Sequence, residues 1–136
     1  MRVNDISTLL CIRGLYREGH RVMTIKQLLC TIDKQGHGMY QPEVFATKPD
    51  WFKQACKVRR SFRDMGRSVP HWSNSSWSDR FQRAITRLAK TGRIHVEGKK
   101  GKLGYLCNSK VYLWDYTNAQ LFGDDKLAAA VMGLGQ

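Results

Sequence analysis

The chain has 136 residues, enough for one domain with its own core and too few for two of ordinary size. A hydrophobic fraction of 42% is that of a globular protein and excludes a disordered or collagen-like chain. Twenty-three Lys and Arg against 11 Asp and Glu give a net charge of +12, whose distribution along the chain is more informative than its size.

Residues 4–17 read as a first helix, with Asn4 or Asp5 as N-cap. Ile6, Leu9, Leu10, Ile12 and Tyr16 are its apolar positions, and Gly19 ends it. Arg21-Val22-Met23 reads as a short strand. Thr24 then caps a second helix to about Lys34, with Ile25, Leu28, Leu29 and Ile32 turned inward. Gln35-Gly36-His37-Gly38 closes that helix, and residues 39–48 read as irregular or weakly extended. A third helix over 51–65 follows Lys48-Pro49-Asp50, with the proline near the first turn, where its missing amide costs little. Trp51, Ala55, Val58, Phe62 and Met65 line one face. Lys53, Lys57 and Arg60 lie opposite, with Arg59 and Arg63 on one side. Gly66 ends the helix, and residues 67–75 form a polar connection containing Pro70 and Trp72.

Residues 76–92 carry the clearest pattern. Ser76 and Asp79 stand in the capping-box relation, and Asp79 complements the positive end of the helix dipole. Trp77, Phe81, Ala84, Ile85 and Leu88 recur at helical spacing over a helix of roughly 77–91. Asp79, Gln82, Arg83, Thr86 and Lys90 fall opposite, with Arg80 and Arg87 on a flank. Gly92 sits where a left-handed cap is expected. Residues 93–114 then alternate as strands do: Arg93–Glu97 leads into the lysine- and glycine-rich tip 98–104, and 105–106 and 110–114 return. In the tail, 117–136, Thr117 or Asn118 caps a turn around Leu121-Phe122. An Ala-rich segment after Asp124-Asp125 is a candidate helix for packing on the domain or on a second copy as a homodimer contact.

The charge is not evenly spread. Residues 53–110 hold fifteen Lys/Arg against three acids, so the whole excess lies there and the remaining eight bases and eight acids cancel. Such a concentration is the footprint of a nucleic-acid binder.

The passage S-x-x-x-RFQRAITRLAKTGRIHVE and the basic tip after it resemble the recognition helix and wing of winged helix-turn-helix DNA-binding domains. The entry from a short strand into Thr-Ile-Lys-Gln-Leu-Leu resembles the approach to their second helix. The resemblance implies a single α+β, mostly helical domain over 1–136: N-terminal helices in 4–34, a recognition helix in 76–92 and a C-terminal two-stranded wing in 93–114. Residues 35–75 are longer than the compact motif allows. Either helix 24–34 is the positioning helix and 35–75 is an insertion carrying helix 51–65, or helix 51–65 takes that role itself. The strand-to-helix entry favours the first.

Chemistry then assigns roles. Ser78, Asp79, Gln82, Arg83 and Thr86 are candidates for base reading, since Arg matches guanine and Gln adenine in a major groove. Lys53, Lys57, Arg59, Arg60, Arg63, Arg80, Arg87 and Lys90 are candidates for phosphate contact, and Lys99, Lys100 and Lys102 form the wing tip. The expected partner is double-stranded DNA, and the expected function is that of a small transcriptional regulator or an accessory factor of a phage or mobile element. A protein-binding winged helix acting as inhibitor or adaptor of an acidic partner, and an RNA or single-strand binder using Trp72, are the alternatives.

No catalysis is expected. The carboxylates form no metal-nuclease signature, and Gly98–Gly104 lacks the ending of a phosphate-binding loop. The cysteines at 11, 30, 56 and 107 contain no C-x-x-C pair and read as free thiols in the cytoplasm, with no metal and no cofactor. With Asn4 and Asp5 at the start there is no signal-peptide pattern, and no run approaches the roughly 20 apolar residues of a membrane span.

Overall fold

The apolar run near the N-terminus becomes a helix buried on almost every side. The computed structural model describes residues 2–69 and 77–131. Its first helix, α1 (Val3–Arg17), buries Val3 and every residue from Asp5 to Leu15. A helix enclosed all round has little water for its polar side chains, so each needs a protein partner. The hydroxyls of Ser7 and Thr8 donate to the carbonyls of Val3 and Asn4 at 2.7 and 2.6 Å. Arg13 donates to the Tyr116 carbonyl at 3.2 Å and to Asn118 Oδ1 at 2.8 Å. The expected N-cap needs correction. Arg2 occupies that position, and Asp5, at the third helical residue, accepts from the Arg2 amide at 3.2 Å.

β1 (Val22–Thr24) feeds α2 (Ile25–Gly36) through a capping box. The Gln27 amide donates to Thr24 Oγ1 at 3.1 Å, and the Thr24 amide donates to Gln27 Oε1 at 2.9 Å. Ile25, Leu28 and Ile32 are buried, as their spacing predicts. Part of the stretch expected to be irregular forms a short helix instead, α3 (Pro42–Ala46). Proline at its first position supplies a pre-set φ, but five residues are too few to show a period.

α4 (Asp50–Asp64) lies along α1, with Trp51, Phe52, Ala55, Val58 and Phe62 buried between them. The crossing is close at Gly14, where an added Cβ would fall on the Cβ and Cγ of Trp51. Trp51 in turn donates from Nε1 to Glu18 Oε1 at 2.9 Å, which fixes the indole against the end of α1. α5 (Trp77–Lys90) packs on α1 and α2 through Phe81, Ala84, Ile85 and Leu88. Its expected cap at Ser76 lies outside the described residues, as does Trp72.

Beyond Gly92, at φ 75°, come β2 (His95–Glu97), β3 (Lys100–Gly101), β4 (Gly104–Tyr105) and β5 (Lys110–Tyr112). The expected two-stranded wing is extended by β1: the antiparallel sheet runs β1-β5-β2, with Met23 and Val96 both opposite Val111. β3 and β4 form a separate small hairpin at the tip. Thr117 caps α6 (Asn118–Phe122) by a second capping box, and α7 (Lys126–Val131) follows. α6 packs on α1 and α7 on α4, and Arg67 pairs with Asp125 at 3.0 Å. The described part of the tail therefore packs on its own domain. No helix among the described residues is long and apolar enough to cross a membrane.

The α1–α4 crossing yields a test. Helix propensity alone would make Gly14→Ala stabilising by roughly 1 kcal/mol. The contact with Trp51 reverses that sign, and a loss of about 1–3 kcal/mol is expected in urea unfolding, as for an overpacked core. A stabilised variant would contradict the close crossing.

Candidate nucleic-acid interface

α5 buries one stripe and leaves three others, and they differ in what they face. The stripe directly away from the core carries Asp79, Arg83 and Lys90, of which Arg83 and Lys90 are exposed. One flank, Gln82 and Thr86, is covered by the β3–β4 hairpin. Gln82 Nε2 donates to the Tyr105 carbonyl at 3.2 Å and to Cys107 Sγ at 3.3 Å. The Tyr105 amide donates to Thr86 Oγ1 at 3.3 Å, and that hydroxyl donates to the Gln82 carbonyl at 3.0 Å. Gly104 permits this approach: its φ is 117°, and an added Cβ would fall on Thr86 Oγ1.

This docking changes the base-reading set. Gln82 and Thr86 are engaged by the hairpin, so their polar groups hold α5 and hairpin together instead of facing outward. Asp79 and Arg83 remain on the accessible side, and the Ser78 side chain lies outside the described residues. The periodicity put Gln82 and Thr86 on a polar face correctly. It carried no information on what would cover that face.

The hairpin is anchored from its other side too. The carbonyls of Cys107 and Ser109 accept from the amides of Lys26 and Ile25 at 3.0 Å each, satisfying orphan donors at the start of α2. Lys99, Lys100 and Lys102 are exposed on this tethered tip, and Lys100 Nζ lies 5.2 Å from the Tyr105 ring centroid. Glu97, the acid nearest the tip in sequence, is held from the sheet. The Tyr112 hydroxyl at 2.9 Å and His95 Nε2 at 3.4 Å keep its carboxyl below the usual carboxylate range.

The expected phosphate contacts divide. Arg80, Lys90, Lys57, Arg60 and Arg63 are exposed. Lys53 donates to the Ala46 carbonyl at 2.8 Å, closing the end of α3. Arg59 is the correction in this set. It is 5% exposed, donates to Asn4 Oδ1 at 2.9 Å, and burial pushes its pKa down to about 10, which still leaves it charged at neutral pH. It ties α4 to α1 and is too buried to serve as an open phosphate contact. Arg87 is half-buried and grips Asp5 Oδ1 at 2.7 and 3.2 Å, tying α5 to α1.

A groove of about 490 Å³ runs between the start of α1, the end of α4 and α5. Five arginines line it: Arg2, Arg67, Arg80, Arg83 and Arg87. Arg2 and Arg67 are the members that sequence reasoning missed. They are distant from α5 along the chain, and only the packing of α1 and α4 brings them beside it. Among the described residues, no cluster of three or more His, Cys, Asp or Glu converges as a metal site, and the four cysteines are free thiols.

Comparison with family models, with curated proteins and with solved structures finds no match to this chain.

The docking of the hairpin on α5 predicts the behaviour of Gly104→Ala. The methyl group meets Thr86 at a backbone angle unfavourable to alanine, so the hairpin should lift. The Tyr105 amide should then exchange with deuterium faster than in the parent, while exchange within α1 stays unchanged. Unaltered protection at Tyr105 would show that the hairpin does not depend on this contact.

Proposed function

We propose that this protein is a non-catalytic, cytoplasmic double-stranded DNA-binding protein of the winged helix-turn-helix kind, with α5 as recognition helix and the β3–β4 hairpin as wing. A small transcriptional regulator, or an accessory factor of a phage or mobile element, is the role this reading favours. The observation that carries it is the continuity of exposed positive charge from Arg80, Arg83 and Lys90 on α5 to Lys99, Lys100 and Lys102 on a hairpin docked against the same helix. The strand order β1-β5-β2, with a helix leading into β2 and a hairpin between β2 and β5, supports the same reading. So does the packing of α5 on α2, which favours α2 as the positioning helix and 35–75 as an insertion.

With Gln82 and Thr86 occupied, base reading falls mainly to Arg83, with Asp79 beside it. Arginine can grip guanine O6 and N7 with two donors, whereas an aspartate accepts from cytosine N4. Few reading side chains against many cations imply strong attachment to backbone and a short sequence preference.

The test is titration of duplex DNA at several salt concentrations. Log K should fall linearly with log salt, with a slope of about −0.9 per phosphate neutralised. Arg83→Ala should cost about 1–3 kcal/mol on a preferred sequence and flatten the preference at one position. Lys99→Ala should weaken every sequence alike. No duplex binding at low salt would overturn the reading. Equal effects of both variants on every sequence would leave electrostatic attachment without base reading.

A further inference from the structure

We propose that the arginine groove between α1, α4 and α5 is a bidentate seat for a backbone phosphate of the bound duplex, and that it fixes how the DNA lies across α5. The proposal rests on the DNA-binding reading above and adds Arg2 and Arg67, which lie outside the recognition helix and the wing.

The two cationic regions of this surface are built from different residues. The hairpin tip carries only lysines, all exposed. Among the described residues that line it, the groove carries five arginines and no carboxylate. A lysine is a mobile, hydrated point charge, whereas a guanidinium offers a planar fork that matches two phosphate oxygens at once. Asp125 and Asp5 already engage Arg67 and Arg87, at 3.0 and 2.7 Å. Those two are thereby held in place as the groove's fixed wall. Among the described residues, Arg2, Arg80 and Arg83 have no carboxylate partner, so three guanidinium groups face one cavity with their charge unbalanced. Bringing like charges together is unfavourable, and an anion between them removes the penalty.

Two further features select the anion. Val3 and Asn4, at the first turn of α1, line the groove, so the positive end of a fifteen-residue helix adds to the field. Phe62, the aromatic side chain of the lining, has its ring covered by the Arg67 guanidinium at 3.9 Å. Among the described lining residues no free ring is left to stack a nucleobase, so the described part of the groove favours phosphate over base. What fits is phosphate without a base, as a duplex presents along its backbone. Arg83, exposed on the outward stripe of α5, also lines the groove, so a phosphate seated there lies beside that stripe.

The deciding variant conserves charge. Arg2→Lys with Arg80→Lys keeps the net charge of the protein and removes two of the three free forks, leaving Arg83 for the outward stripe; both side chains are exposed, so the fold should be untouched, and an unchanged melting temperature checks this. Duplex affinity should fall about tenfold, the worth of roughly one charge-assisted hydrogen bond, and by the same factor on every sequence. Inorganic pyrophosphate should compete with duplex for the parent protein and less well for the variant. If duplex binds the variant as tightly as the parent, the groove is not a seat, and the DNA-binding reading stands without it. If the parent binds no duplex but pyrophosphate shifts the amide resonances of Val3, Asn4 and Ser68, both the DNA reading and the DNA seat fall. The groove is then an anion site for another phosphate ligand.

Discussion

The enclosure of α1 is the constraint on which the rest of the structure hangs. Because this helix is buried nearly all round, its polar side chains cannot be left to water: Ser7 and Thr8 bond back to the helix itself, and the others fasten different parts of the chain. Asp5 takes Arg87 from α5, Asn4 takes Arg59 from α4, and Arg13 takes the Tyr116 carbonyl and Asn118 at the start of α6. At the helix end, Glu18 receives the Trp51 indole. Apolar contact supplies most of the attraction, since removing apolar area from water is worth roughly 25 cal/mol per Å². These polar ties set where along α1 each neighbour sits. A buried donor or acceptor without its partner costs about 1–3 kcal/mol, so slippage of α4 or α5 is penalised at several points together.

The proposed DNA-binding surface is a consequence of that arrangement. α5 is held against α1 at Arg87 and against the hairpin at Gln82 and Thr86, leaving its Arg83 stripe outward between two basic flanks. The hairpin is tied back to the start of α2 through Cys107 and Ser109. Helix and finger are therefore presented in a set relation, and less ordering remains to be done on binding. The arrangement has a cost in information. Two side chains that were candidates for base reading are spent on holding the hairpin, so under the proposed function the contact shifts from sequence toward backbone.

Much of the local structure was legible in the sequence. Thr24 and Gln27 announce a helix start, Gly92 an end, and the stripe of Phe81, Ala84, Ile85 and Leu88 a buried face, because caps, stops and periods are local physics. What escaped was tertiary. Arg59 and Lys57 are both basic residues of one helix, yet Arg59 is buried against Asn4 while Lys57 is exposed. Charge alone does not distinguish them. The joining of β1 to β5, and of Arg2 and Arg67 to α5, depends on long-range packing that no spacing encodes. α3 was missed for the opposite reason, being too short to show a pattern.

The central claim is that the α5–hairpin surface is where duplex DNA lies. Hydrogen exchange with and without a saturating duplex tests it most directly, because it reports where protection appears. The account predicts added protection at the hairpin amides around Lys100–Tyr105, at the start of α1 and along α5. It predicts none at the Tyr16–Trp114 pair, where Trp114 is 59% exposed and its ring lies 6.0 Å from that of Tyr16. Protection centred on Trp114 and Tyr16, with the hairpin unchanged, would contradict it.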